Sequence, residues 1–461
     1  MPRGREVADV RRRVPDNLPP PLRSDPNPGL LRAALHGLYD VLWLLAAAVG
    51  SPWLLWRCLR DRGFAQMLRE RTGWAPPPAK QGRRGTVLVH GVSVGEVKGA
   101  VPLVEAVEER FPDREVVIST TTNTGIQVAR QLFPELRVVR FPADITPAVR
   151  LFLDRVDPDF VVLIELEVWP NFLRACNRRG IPVSVVNGRI TDRSHGRYAL
   201  FRNLLPQFNR LSLVCVQDEE YAARFRSLSF QPERVFVTGS IKADRLRLGP
   251  VDPGAELRRL LGPREGQLVL VAGSTHQPEE ELVIRAWQRG APGTRLVLVP
   301  RHPERAAELV RTLGALGVRV QRLTELRAGS GRPDPARPCL VDTIGELERV
   351  YGLADVVFVG GSLIPHGGQN MLEPAAQGKA VLFGPHVDNF SHEAALLLAQ
   401  GACLRVDDAE QLADAFAELA ADADLRRRMA GLGEEVVRSQ KGATALTIEA
   451  LLGVGLGNPT G

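Results

Sequence analysis

The stretch Asp355–Asn389 reads DVVFVGGSLIPHGGQNMLEPAAQGKAVLFGPHVDN. An apolar run, VVFVG, stops at Gly360-Gly361, and a loop then carries Ser362, Gly367-Gly368, Gln369 and Asn370. A helix is expected to begin around Leu372-Glu373-Pro374, because proline suits the first turn of a helix. A second apolar run, AVLF, follows at once. Strand, glycine-rich loop, helix, strand is the unit of a parallel α/β sheet, whose strands are apolar because both faces are covered. Paired glycines let backbone N–H groups approach a phosphate closely. A helix start favours an anion, and Glu373 in that first turn can accept hydrogen bonds from a ribose diol. The spacing is neither the GxGxxG of a dinucleotide site nor the Gly-Lys-Ser/Thr of a P-loop. It fits a nucleotide-sugar site better.

Outward from this stretch the same alternation repeats. In the second half of the chain QLVLVAGST, TRLVLVPRHP, VRVQRL, CLVDT, DVVFVGG, AVLFGP and ACLRV read as strands. In the first half TVLVH, REVVIST, LRVVRFPAD, DFVVLIELEVWP, IPVSVVNGR and LSLVCVQDE do so, with a helix over 97–110. The two sets predict two Rossmann-like, doubly wound domains with a cleft between them, over 85–245 and 246–440. The helical stretch 409–452 is expected to pack on the second half and to cross back to the first, with 441–461 as helix end and tail.

Three more constellations lie at strand ends, where open α/β sheets bind ligands. Ser274, Thr275 and His276 offer hydroxyl and backbone donors, and Arg301 with His302 offers a guanidinium fork for a phosphate. In HGVSVGE, Ser93 sits in a loop and Glu96 opens a helix. The helix dipole should lower the pKa of such a carboxylate, so that it is ionised and able to take a proton from an attacking hydroxyl. In IELEVWPN, Glu165 and Glu167 are expected to share one face of a strand end. Acids on so apolar a strand need a reason, and either a cleft role or a salt bridge to Arg189 would supply one.

Composition bounds the rest. The chain has 461 residues, 44% hydrophobic and 24% charged, as in a soluble globular protein of two or more domains. The five cysteines are scattered without metal-ligand spacing, which predicts reduced thiols and no metal site. Residues 1–73 hold twelve arginines, no lysine and seven acids, and so carry +5 of the net +6. Residues 1–29 read as a disordered basic, Pro-rich extension. Residues 30–73 contain an uncharged run from Val41 to Trp56, weakened by Asp40 and a Gly50-Ser51-Pro52 break, with Trp43, Trp53 and Trp56 and then a row of arginines. This is shorter than the roughly 20 residues of a full span. It predicts a membrane-associated helix whose C-terminal side stays cytoplasmic. Basic charge beside an apolar stretch points to anionic phospholipid and not to nucleic acid.

The motifs SVGE, TTTNTG, IELEVWPN, NGRITDRS, VTGSIKAD, STH, PRHPE and VGGSLIPHGGQNMLEPAAQGKAVLFGP occur in one order over roughly residues 37–440. That ordered set resembles the 3-deoxy-D-manno-octulosonic acid (Kdo) transferases of lipopolysaccharide assembly. The resemblance implies a GT-B fold, CMP-Kdo as donor, a lipid A precursor as acceptor, the cytoplasmic face of the inner membrane, and inverting transfer with no metal or other cofactor. It implies Glu96 as general base. Arg301 and His302 would hold the donor phosphate, and Gly360, Gly361, Ser362, the Gly367–Asn370 loop and Glu373 would hold CMP. Where the family has His, this chain has Gln369, which hydrogen-bonds but carries no proton. Two other readings use the same residues. One is a different GT-B nucleotide-sugar transferase or epimerase, for which the SVGE to IELEVWP series and the basic anchor have no use. The other is a non-catalytic nucleotide-sugar binder on a membrane scaffold, against which Glu96 argues.

Overall fold

The structure, a computed structural model, describes residues 30–75, 84–201, 207–229 and 231–456. The basic extension 1–29 expected to be disordered, and the tail beyond 456, lie outside the described residues. The chain divides into two compact units. One holds the described residues up to Arg245 together with those from Lys441 onward, and the other is Leu246–Gln440.

The first unit is built on seven parallel strands: β1 Thr86–His90, β2 Glu115–Thr120, β3 Arg137–Arg140, β4 Phe160–Ile164, β5 Val183–Gly188, β6 Leu213–Val216 and β7 Val235–Val237. Their order is β3-β2-β1-β4-β5-β6-β7. The second has β8 Val269–Thr275, β9 Arg295–Pro300, β10 Gln321–Arg322, β11 Cys339–Leu340, β12 Val356–Val359, β13 Ala380–Phe383 and β14 Cys403–Arg405. Here the order is β10-β11-β9-β8-β12-β13-β14. In the first sheet the chain works outward from β1 to β3 and then returns to the centre to work outward from β4 to β7. In the second it runs from β8 through β9 to the edge strand β10, inserts β11 between β9 and β10, and then returns to the centre to work outward from β12 to β14. The reversal falls between β1 and β4, and between β8 and β12. Such switch points open a crevice at the carboxyl ends of the strands.

Strand side chains alternate between two cores, as a period of two requires. Leu88 joins one apolar cluster, while Val87 and Val89 join the other. In β12, Val357 and Val359 pack on one side, and Val356 and Phe358 on the opposite one. Each such side chain contributes about 1.5–3 kcal/mol on burial.

Three local features depart from the sequence expectation, while the C-terminal helical stretch crosses back to the first unit as expected. Strand β7 is an addition, too short to stand out in the sequence. The helix expected over 97–110 is two helices, Val94–Gly99 and Val101–Arg110, hinged at Ala100. Pro102 has no N–H to offer the carbonyl of Lys98, and that oxygen accepts Arg245 Nη1 instead at 2.8 Å. Pro52 does not break the N-terminal helix, which runs unbroken over Leu30–Arg60. Pro52 cannot donate to Ala48 O four residues back, but Ser51 Oγ does so at 2.8 Å. The third helix of the C-terminal stretch, Ala443–Leu452, belongs to the first unit, whereas Ala409–Ala421 and Ala423–Gln440 belong to the second. Asp244 starts that last helix: its carboxylate accepts Gly442 N at 2.7 Å and Thr444 N at 2.6 Å. All five cysteines are free, and four of them are buried.

Among the described residues, one helix segment, Leu35–Arg60, is long and apolar enough to cross a membrane. Its outer side exposes Leu42, Trp43, Leu45, Trp53 and Trp56. Its other side is tied to the first unit. Asp40 Oδ1 accepts Thr146 N at 3.0 Å and Asn171 Nδ2 at 2.8 Å, and His36 Nδ1 lies 3.1 Å from Asn171 Oδ1.

Candidate active site

In the first unit, SVGE follows β1 and IELE follows β4, the two strands that flank the switch point. Ser93 caps the Val94–Gly99 helix: its Oγ accepts Glu96 N at 3.2 Å. The Glu96 carboxylate turns back, accepting Val92 N at 2.8 Å and the Ser93 hydroxyl at 2.7 Å. This is a reciprocal cap of the capping-box kind. Thr120 Oγ1 fixes the same loop from β2 by donating to Val92 O at 3.0 Å. Glu96 was expected to have a lowered pKa. Its carboxyl is instead pushed above the ordinary 4.5, because burial outweighs the stabilising hydrogen bonds from Ser93 and Val92, and the charge of Glu165 pushes the same way.

Glu165 and Glu167 do not extend a strand. Glu165 donates its N–H to Val186 O at 3.0 Å and then leaves the sheet in the left-handed region, at φ 64°. Its partner is not Arg189 but Lys242, whose Nζ stands 2.7 Å from Oε1. Arg189 lies half-buried in the loop after β5. Glu167 accepts Trp169 Nε1 at 2.8 Å. Burial, followed by the charges of Glu96 and Glu165, raises its pKa to about 7. Glu96, Glu165 and Glu167 thus form one carboxylate group, in which the capped Glu96 lies against the loop that follows β1. Asn187, at φ 56° at the end of β5, accepts Ile241 N at 3.2 Å, which brings the Lys242 segment to these acids.

In the second unit the STH, PRH and GGS motifs end β8, β9 and β12, which are adjacent in the sheet. Ser274 has φ 56°. Non-glycine residues held in this region cost about 1–3 kcal/mol and cluster at functional sites. Thr275 is fully buried, and its hydroxyl donates to Glu280 Oε1 at 3.2 Å. It is therefore a structural residue and not the ligand donor that the sequence suggested. His276 packs against His366 with ring centres 3.9 Å apart and planes tilted by 37°, and meets the His302 ring edge-on at 5.7 Å. Burial, and then the positive field of His366, His302, Arg301 and Arg305, lowers its pKa to about 4, so the ring is neutral at pH 7. Gln369 Nε2 donates to His276 Nε2 at 3.3 Å. Arg301 and His302 are exposed beside this ring.

The glycine loop differs most from its expected role. The N–H groups of Gly361, Ser362 and Leu363 all point to the carboxylate of Glu279, at 2.6, 2.9 and 2.9 Å. His276 N adds a fourth donor at 3.0 Å. Gly360 N donates to Gly273 O at 2.8 Å. These amides are spent within the protein, so Gly360, Gly361 and Ser362 do not form a phosphate cradle. The glycines are required by the backbone: a Cβ on Gly360 would stand 2.5 Å from Thr275 Cα, and Gly367, at φ 92°, holds a conformation that other residues rarely adopt. Gly368, at φ 77°, closes the loop by donating to Gly361 O at 2.7 Å. Beyond it, Asn370 Oδ1 accepts Leu372 N at 3.1 Å, and its amide donates to Glu373 Oε1 at 3.1 Å. Asn370 and Glu373 therefore stand together at the start of the Leu372–Ala376 helix. Among the described residues no group of three or more His, Cys, Asp and Glu side chains is placed to hold a metal ion.

Glu279, Lys242, His366 and Arg305 were not singled out in the sequence. Glu279 heads the run Glu279-Glu280-Glu281, which reads as an ordinary acidic helix start. The only signal was its place three residues beyond His276 of STH.

Comparison with known proteins decides the family. The model of the 3-deoxy-D-manno-octulosonic acid transferase (kdotransferase) N-terminal region matches residues 66–245. A 3-deoxy-D-manno-octulosonic acid transferase of Bordetella pertussis is 33% identical over 92% of this chain and 98% of its own length. The chain belongs to the Kdo transferase family. A second Kdo transferase, from Haemophilus influenzae, is 31% identical over 84% of this chain and 91% of its own. The chain is thus a glycosyltransferase. The GT-B fold is shared with UDP-GlcNAc 2-epimerase from Neisseria meningitidis, at 15% identity and a TM-score of 0.54 over 80% of this chain and 99% of that one.

Proposed function

We propose that the chain transfers Kdo from CMP-Kdo to a sugar hydroxyl of a lipid A precursor, with inversion and without a bound metal, at the cytoplasmic face of the inner membrane. The observation that carries the reading is Glu96, capped and half-buried at a switch point, with a pKa raised by burial. A raised pKa makes the ionised carboxylate a better proton acceptor, which favours general base catalysis near neutral pH. The acceptor oxygen attacks the anomeric carbon as its proton passes to Glu96. The bond to the CMP phosphate oxygen breaks, and CMP leaves with the electron pair. One displacement inverts the anomeric centre.

In the second unit, Arg301 and His302 beside neutral His276 supply cationic and hydrogen-bonding groups for the donor phosphate. Gln369 orients His276 and needs no proton of its own. The glycine loop acts by position, holding Asn370 and Glu373 for the ribose while Glu279 holds the loop. The exposed aromatic and apolar side of the Leu30–Arg60 helix, with Arg57 and Arg60 in its last turn, supports the membrane placement. The test is to incubate the protein with CMP-Kdo and a tetraacylated lipid A precursor in EDTA and to assign the anomeric configuration of the product by NMR. An inverted product formed in EDTA is expected. A retained configuration, or transfer that stops with EDTA and returns with a divalent ion, refutes the mechanism.

A further inference from the structure

The first unit contains a cavity of about 270 Å³ apart from the candidate active-site residues. It lies between the helices Thr146–Val156 and Pro170–Arg178. Thr146 and Arg150 are one turn apart on the first helix. Asn171, Arg174 and Arg178 are spaced to share one face of the second, and Arg179 completes the wall. Four guanidinium groups therefore surround one hollow. Arg179 pairs with Asp154 at 2.7 Å. Arg150 and Arg178 are exposed and have no acidic partner among the described residues. Gathering cations around a concavity is unfavourable unless an anion joins them, and planar guanidinium forks match phosphate oxygens. The volume suits a headgroup more than a large ligand, since sites for drug-sized molecules begin near about 300 Å³.

The position of the hollow supplies the second observation. Thr146 and Asn171, both in its wall, are the residues that hydrogen-bond Asp40 of the N-terminal helix. The Asp40 carboxylate is already engaged by those two donors. The cavity thus adjoins the helix that carries the exposed apolar side. We propose that it binds the phosphate of a membrane lipid headgroup, and so sets how the first unit stands on the bilayer. This rests on the reading that the Leu30–Arg60 helix meets a membrane.

The test compares the full-length wild type with the double variant Arg150→Gln/Arg178→Gln. A control, Arg427→Gln/Arg428→Gln, removes the same charge from the exposed side of a helix in the second unit. Binding is measured to phosphatidylcholine vesicles with and without phosphatidylglycerol. All three proteins should bind pure phosphatidylcholine alike, which reports the apolar helix independently of the cavity. Wild type and control should gain affinity with phosphatidylglycerol. The cavity variant should lose about tenfold or more of that gain per arginine, the scale of a charge-assisted hydrogen bond. Equal loss in the control would mean diffuse surface charge and would overturn the site, as would no loss in the cavity variant. In detergent, inorganic phosphate is titrated against thermal unfolding. If it stabilises wild type but not the cavity variant, and phosphatidylglycerol gives no gain, the ligand is soluble phosphate and the lipid assignment is overturned.

Discussion

Replacing Glu279 by Gln should be nearly as damaging as replacing it by Ala, although the side chains are almost isosteric. The Glu279 carboxylate is fully buried and accepts four backbone N–H groups, two on each oxygen. Gln keeps one oxygen and turns an NH₂ toward two of those donors. Two amides in the buried loop are then left facing a donor, and each buried unsatisfied group costs about 1–3 kcal/mol. Removing a buried charge returns part of its desolvation cost. The net loss is about 3 kcal/mol for Gln and about 3–5 kcal/mol for Ala, near the upper end for single substitutions. Two units preclude a single unfolding free energy, so the assay is hydrogen exchange of the peptide spanning 360–368. Exchange there should accelerate about a hundredfold in Glu279→Gln, which is ~3 kcal/mol at 1.4 kcal/mol per tenfold. CMP binding should weaken with it, because Asn370 and Glu373 follow that loop. Wild-type protection in Glu279→Gln would show that the carboxylate does not hold the loop.

Glu167→Gln should raise thermal stability at pH 8. A carboxyl raised from 4.5 to about 7 favours the folded state while protonated, so its contribution is full below about pH 4.5 and is lost as pH climbs through about 7. A differential melting curve without that loss in wild type, or with the same loss in the variant, would be contrary. Arg301→Ala should weaken donor binding by about 1.5–3 kcal/mol, as read by calorimetry with CMP, and leave thermal stability unchanged because the side chain is exposed. Unchanged affinity would remove Arg301 from the phosphate site. Asp244→Ala should cost about 1–2 kcal/mol by uncapping the Ala443–Leu452 helix, seen as faster hydrogen exchange over 442–452. Unaltered exchange there would count against the cap.

Apolar runs such as VVFVG and DFVVLI made both sheets legible, because buried parallel strands have few other sequences open to them. The ordered motifs at their ends located the candidate sites for the same reason: ligand-facing loops follow strand carboxyl ends. What escaped was fixed by tertiary contacts. The pKa of Glu96 depends on how much protein covers it, which no local motif records. Its position at a helix start suggested the opposite sign. The glycines of GGS looked like a phosphate cradle because sequence shows which N–H groups are accessible to a close partner and not which partner takes them. That partner, Glu279, lies more than eighty residues earlier. Lys242 displaced Arg189 as the partner of Glu165 for the same reason. Pro52 looked like a break because the Ser51 hydroxyl that compensates for it acts through geometry alone.

The most direct measurement is transfer of Kdo from CMP-Kdo to a tetraacylated lipid A precursor by wild type and by Glu96→Gln, with CMP affinity measured on the same preparations. The expected result is a fall in kcat of about 10²–10⁴, the span of general acid–base catalysis, with CMP affinity unchanged. The acid limb of the wild-type pH profile should be absent from whatever activity remains. Turnover by Glu96→Gln at the wild-type rate would contradict the assignment of Glu96 as the base.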